Sequence, residues 1–195
     1  MEFRLTYDGE LLGASRNSTR ASHKHAIRKY FHKQLRRLWE TTPALQKLGY
    51  WAAVTSPFVQ NYSVAQQTAD KHALGKYRFL PLATKELDLV VSLDILFLRY
   101  DQPGETLIQS GDIDNRLKTL FDSLRKPHNL AEIDGDPEQD EDPFYVLLED
   151  DSLITHLSVT TDLLLEPNKG VNDVRLIITV KTGPIVINAY NLGLL

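Results

Sequence analysis

LDLVVSLDILFLRY (87–100) is fourteen residues long, and only Asp88, Ser92, Asp94 and Arg99 interrupt its apolar, β-branched character. A run of that length and composition predicts a strand buried at the centre of a sheet, because strands covered on both faces read as nearly continuous hydrophobic segments. The rest of the chain is arranged around it. FRLTYDG (3–9) alternates apolar and polar and predicts a strand. Between Ser22 and Trp39 the residues Ile27, Tyr30, Phe31, Leu35 and Leu38 recur at three- and four-residue steps, which predicts a helix ended by Thr41-Thr42-Pro43. Residues 43–75 are ambiguous, with room for a short helix, a loop at Pro57 and a second short helix near 64–73. KYRFLPL (76–82) reads as a short strand.

Beyond the central run, DQPGETLIQSG (101–111) reads as a loop, and a second helix is expected over 113–125 with the stripe Ile113, Leu117, Leu120, Phe121, Leu124. LITHLSVTTDLLL (153–165) and VRLIITVKTG (174–183) are strands, and the turn-rich EPNKGVND between them predicts an antiparallel hairpin. The tail PIVINAYNLGLL is read as a further edge strand. This order predicts an α/β (α+β) fold: a single domain, residues 1–195, with a mixed β-sheet and helices packed on it. An acidic insertion spans about 126–148.

At 42% hydrophobic and 25% charged residues, the chain has the composition of a folded globular protein. With no cysteine it has neither disulfides nor thiolate metal sites nor a cysteine nucleophile. MEFRLTYDGELLG does not read as a signal peptide and no apolar run is long enough for a membrane span, so a cytoplasmic protein is expected. Neither a P-loop nor a glycine-rich dinucleotide fingerprint is present.

The net charge of −4 conceals a polarity: residues 1–80 hold 13 Lys/Arg against 5 Asp/Glu, and residues 81–195 hold 9 against 21. On the predicted first helix, the side away from the apolar stripe carries Lys24, Arg28, Lys29, Lys33, Arg36 and Arg37, preceded by Arg16 and Arg20. That pattern suits a phosphate-binding surface, and equally a solvated helix face. His23, His25 and His32 lack zinc spacing and read as surface groups.

In GDIDNRLKTLFDSL (111–124), two aspartates flank one isoleucine where the second helix begins. On a helix, residues two apart face opposite ways, so Asp112 and Asp114 act together only if Asp112 precedes the helix proper, in extended or N-cap conformation. Either could instead be a plain cap. Asp114, Lys118 and Asp122 follow at four-residue steps on the side away from the stripe, and Lys118 could form an ordinary helical ion pair. Glu149-Asp150-Asp151 precedes the strand at 153. Carboxylates gathered at one sheet edge would suit Mg²⁺, a hard cation that prefers oxygen ligands. From Glu132 to Asp151 there are ten acids and no Lys or Arg, which predicts a solvated, partly mobile loop, or else a screen or gate over the site.

DIDNRLK with the later LLEDDSLI resembles the RusA family of Holliday-junction resolvases, which share a D-x-D-N-x-x-K helix start followed by an acidic pair before a strand. The match falls on Asp112, Asp114, Asn115, Lys118, Asp150 and Asp151. The resemblance implies a RusA-like fold and a homodimer that cuts four-way DNA junctions with Mg²⁺ or Mn²⁺. It implies that Asp112, Asp114 and Asp151, with Asp150 beside them, are metal ligands, and that Lys118 stabilises developing charge. Two other readings compete: a DNA-binding protein of the same fold without catalysis, and an interaction module whose acidic insert mimics nucleic acid.

Overall fold

The fold is described from a computed structural model covering residues 1–14, 20–50, 63–100, 111–167, 169–187 and 191. The elements are β1 (Glu2–Glu10), α1 (Ala21–Thr41), α2 (Pro43–Tyr50), α3 (Val64–Lys71), β2 (Ala73–Leu74), β3 (Tyr77–Ala83), β4 (Leu89–Arg99), α4 (Gly111–Leu124), β5 (Phe144–Leu148), β6 (Ile154–Leu163) and β7 (Asp173–Pro184). They form one α+β unit with two mixed sheets. The larger has the order β1-β7-β4-β6 and the smaller the order β2-β3-β5.

β4 is an interior strand, as its composition predicts. It pairs antiparallel with β7 and parallel with β6. Burial alternates along it: Leu93, Ile95 and Phe97 are fully buried beside Leu176, Ile178 and Val180 of β7, while Asp94 on the opposite face is exposed. The helices cover one face of the sheet, and each large apolar side chain buried there contributes roughly 1.5–3 kcal/mol.

The hairpin expected of β6 and β7 does not form, because β4 lies between them. Arg99 pairs with Leu163 on one side and Val174 on the other, so the link from 164 to 172 straddles the end of β4. The parallel β4–β6 pair needs a long crossover, supplied by α4 and β5. The tail makes no edge strand among its described residues: β7 ends at Pro184, and Ile185, Val186 and Ile187 are exposed.

α1 is buried on two sides. Ile27, Phe31 and Leu35 pack toward the larger sheet, whereas Tyr30 is 40% exposed. A second stripe of His25, Arg28, His32 and Trp39 is also buried, with His25 and His32 packed on Phe144 of β5. Both histidines are therefore core groups and not surface groups. Burial, followed by the charge of Arg28, lowers the pKa of His25 to about 4.

The ambiguous 43–75 region holds α2, opened by Pro43, and α3. The N–H of Gln66 donates to Ser63 Oγ (3.1 Å) and the N–H of Ser63 donates to Gln66 Oε1 (3.0 Å), a reciprocal cap that starts α3. Pro57 lies outside the described residues. Among the described residues no helix is long and apolar enough to cross a membrane.

Candidate active site

α4 begins at Gly111, so the backbone of Asp112 is already its second residue and does not precede the helix. The Asp112 side chain lies outside what is described. Asp114, Asn115 and Lys118 are exposed. Asp114 and Lys118 share a face, one turn apart. The start of α4 is held at one end of the larger sheet: the N–H of Ala14, just past β1, donates to Asn115 O (2.8 Å), and Arg116 Nη2 donates to Val171 O (3.3 Å) beside the start of β7.

Asp122, expected on the same exposed face as Asp114, is buried instead. Its carboxylate takes Lys24 Nζ at 2.7 Å and Arg125 Nη2 at 2.7 Å. Burial pushes its pKa up, but the Lys24 hydrogen bond and the two positive charges outweigh that and leave it below the usual carboxylate value.

Asp150 is a cap. Its Oδ1 accepts the Ser152 N–H at 3.0 Å and also the Ser152 hydroxyl, opening a 3₁₀ turn over Asp151–Leu153. These bonds hold its pKa below the ordinary value. Asp151 is exposed. Glu149 is occupied as well, its Oε2 accepting the Lys85 N–H at 2.9 Å.

Strand register shows how far apart the two acidic groups are. Ile154, one turn after Asp151, pairs with Val91 near the start of β4. The start of α4 lies at the other end, at the level of Arg99, which pairs with Val174. Those levels are eight residues apart on β4, about 26 Å at 3.3 Å per residue. One chain therefore does not bring Asp114 to Asp150 and Asp151. Among the described residues no group of three or more His, Asp or Glu side chains is placed to hold a metal ion. Among the described residues, Asp114 and the Asp150–Asp151 turn are therefore not gathered at one metal centre within a single chain.

The basic residues of α1 are redistributed too. Arg28 is buried: its guanidinium donates to Asp122 O (2.8 Å), Arg125 O (3.2 Å) and Glu132 O (3.3 Å), so it is a structural post and not a DNA contact. Lys24 is engaged with Asp122. Lys29 Nζ meets Glu138 at 2.8 Å and Glu141 at 2.9 Å. Arg36 meets Glu40 at 3.0 Å and Asp140 at 3.7 Å. Lys33 is exposed, Arg20 is half-buried, and Arg16 lies outside the described residues.

The acidic insert is what satisfies much of this surface. Besides Lys29 and Arg36 it holds Lys76 through Asp136 (2.6 Å), Arg78 through a bidentate Asp142 (2.8 and 2.9 Å), and Arg125 through Glu132 (3.0 Å). Glu141 is 4% exposed. The segment is a largely exposed loop anchored to the body by these ion pairs and by the buried Glu141, and it leads into β5. The signal for this was already in the sequence: a basic first part and an acidic second part can neutralise each other within one chain.

A cleft of about 430 Å³, not foreseen from the sequence, lies between α1, α2, α3 and the smaller sheet, lined by Trp39, Leu45, Gln66, Arg78 and Tyr145 among others. Compared with known proteins, the chain matches no protein-family model, no curated protein and no solved structure.

Proposed function

We propose that this protein is a metal-dependent endonuclease that hydrolyses phosphodiester bonds in branched DNA, resolving four-way junctions in the manner of the RusA family it resembles. The observation that carries the reading is the start of α4. The D-x-D-N-x-x-K stretch opens a helix at a sheet end and leaves Asp114, Asn115 and Lys118 exposed together. A carboxylate beside an ammonium group on a rigid helix suits phosphate chemistry, in which developing negative charge needs a fixed cation. Mg²⁺ or Mn²⁺ would supply the Lewis acidity and the activated water. Lys118 would hold a phosphate oxygen, and on α1 the exposed Lys33 and Arg37, the latter 3.7 Å from Glu40, would contact the DNA backbone.

A second reading, a DNA-binding protein without catalysis, is favoured by one observation: Asp150 already serves as a cap for Ser152. Metal binding separates the two. A nuclease should gain thermal stability in millimolar Mg²⁺ or Mn²⁺, by about 2.7 kcal/mol once metal reaches a hundredfold excess over its dissociation constant, and Asp114→Asn should remove that gain. A wild-type protein with no metal-dependent shift, yet still binding junction DNA, would establish the second reading.

A further inference from the structure

The cleft is walled by Trp39 of α1, Leu45 of α2, Ala69 of α3, Arg78 and Leu80 of β3 and Tyr145 of β5. Its volume of about 430 Å³ is that of a small-molecule site. Leu45, Ala69 and Leu80 are buried and give it an apolar wall. The polar groups of the lining are in opposite conditions. Trp39 is 8% exposed, and among the described residues its indole Nε1–H has no acceptor. A buried donor left unpaired is costly and rare. Arg78, in contrast, is fully engaged along its edge: Nε and Nη2 donate to Asp142 (2.8 and 2.9 Å) and Nη1 donates to Asp70 (2.9 Å). Its charge is balanced, and what it still offers is the flat face of the guanidinium, which stacks on planar rings. Tyr145 adds an aromatic face, its ring centroid 5.9 Å from that of Trp39 at an angle of 51°.

We propose that this cleft binds a nucleobase, the base of an unpaired nucleotide. The lining asks for three properties. The ligand is flat, to lie against the two rings and the guanidinium face. It is uncharged, because Asp70 and Asp142 already balance Arg78, and Glu40 at the rim is paired with Arg36. It carries an acceptor on its edge, to take the Trp39 N–H. Side-chain rings of a protein partner do not combine these, since Phe has no acceptor and Trp has only a donor. Purine and pyrimidine rings do, through their ring nitrogens and carbonyl oxygens. Stacking on aromatic side chains is also how single bases are held without reading sequence. A base reaches such a pocket only when it stands outside a duplex. The binding chemistry stands on the cleft itself, and only DNA as the source of the base rests on the nuclease reading.

Adenosine and thymidine, two uncharged nucleosides, test the site without reference to activity. Each should raise the melting temperature of wild type with a dissociation constant of about 1 mM, the strength of one stacked base and one hydrogen bond. Ribose and inorganic phosphate should give no shift, and toluene, flat but without an acceptor, should bind about tenfold more weakly. The chain has two tryptophans, so in a Trp51→Phe background the emission reports Trp39 alone, and the nucleosides should quench it. Ala65→Phe fills the cleft from α3 and should abolish both effects, while the free chain melts within about 2 °C of wild type. Trp39→Phe keeps a ring and removes the N–H, so it should weaken the nucleosides about fivefold and leave toluene unchanged. No shift with either nucleoside, an equal shift with phosphate, or a Trp39→Phe chain that binds nucleosides as wild type does would overturn the base site. For the source of the base, a duplex with one unpaired thymidine should bind wild type about tenfold tighter than the same duplex fully paired, and Ala65→Phe should lose that preference alone. If nucleosides bind and the preference is absent, the assignment to DNA is overturned. If nucleosides bind and no junction is cut, the nuclease reading fails and the base site stands.

Discussion

Lys24 Nζ in α1 lies 2.7 Å from Asp122 Oδ2 in α4, and both side chains are largely buried. This one bond ties the basic helix to the acidic helix and withdraws a residue from each of two surfaces expected to serve function. With Arg125 on its other oxygen and Arg28 on its backbone carbonyl, Asp122 is the hub joining α1, α4 and the start of the insert.

Asp122→Asn should therefore destabilise the fold by about 3 kcal/mol, because Lys24 and Arg125 are left buried without their counter-charge. Lys24→Met should cost about 1 kcal/mol, since Arg125 still balances the carboxylate. Urea midpoints at constant slope measure both. Equal losses in the two variants would show that Asp122 is not the hub.

The protein should lose stability on acidification well before its carboxylates protonate. His25 has a pKa of about 4 in the fold against 6.5 when unfolded, so the unfolded chain binds its proton first. Stability is full above pH 6.5 and falls as pH drops toward 4, by about 3 kcal/mol from this group alone. His32 and His72, also lowered by burial, act in the same direction. The lowered carboxylates Asp8, Asp122 and Asp150 contribute only below their ordinary value of 3.8, so the two windows are distinct. Denaturant titrations at pH 7 and 4.5 should show the loss, and His25→Phe should flatten it. A stability that stays level between those pH values would contradict the burial of His25.

The acidic loop should restrain nucleic-acid binding. Asp136, Glu138 and Asp140 are exposed, and each sits against a cation. Asp136→Asn/Glu138→Gln/Asp140→Asn should change stability by only about 1 kcal/mol, because exposed pairs contribute little. It frees Lys76 and removes one of two carboxylates from Lys29, which keeps Glu141, and from Arg36, which keeps Glu40, so affinity for a four-way junction should rise about threefold at low salt and fall more steeply with added salt. Fluorescence anisotropy reads both. An unchanged affinity would show that these cations do not face DNA.

Patterns within single elements predicted the fold well. The apolar content of 87–100 identified an interior strand, and the stripes of α1 and α4 identified helices. What escaped depends on partners distant in sequence. A turn-rich link shows that the chain reverses after β6, but not that β4 will stand between β6 and β7. The five residues of β5 are too short to stand out after the acidic run. His25, Arg28 and His32 are polar residues beside an apolar stripe, and the groups that bury them come about a hundred residues later. The exposure of Asp114 and Lys118 could be read from the α4 stripe. The separation of Asp114 from Asp151 could not, since it follows from strand register.

The most direct measurement is cleavage of a labelled four-way junction in Mg²⁺, beside a linear duplex and a flap, with wild type and Asp114→Asn. Paired symmetric nicks in the junction alone, absent in the variant, are the predicted result. Intact DNA with every substrate, or equal cleavage by Asp114→Asn, would contradict a nuclease centred on the start of α4.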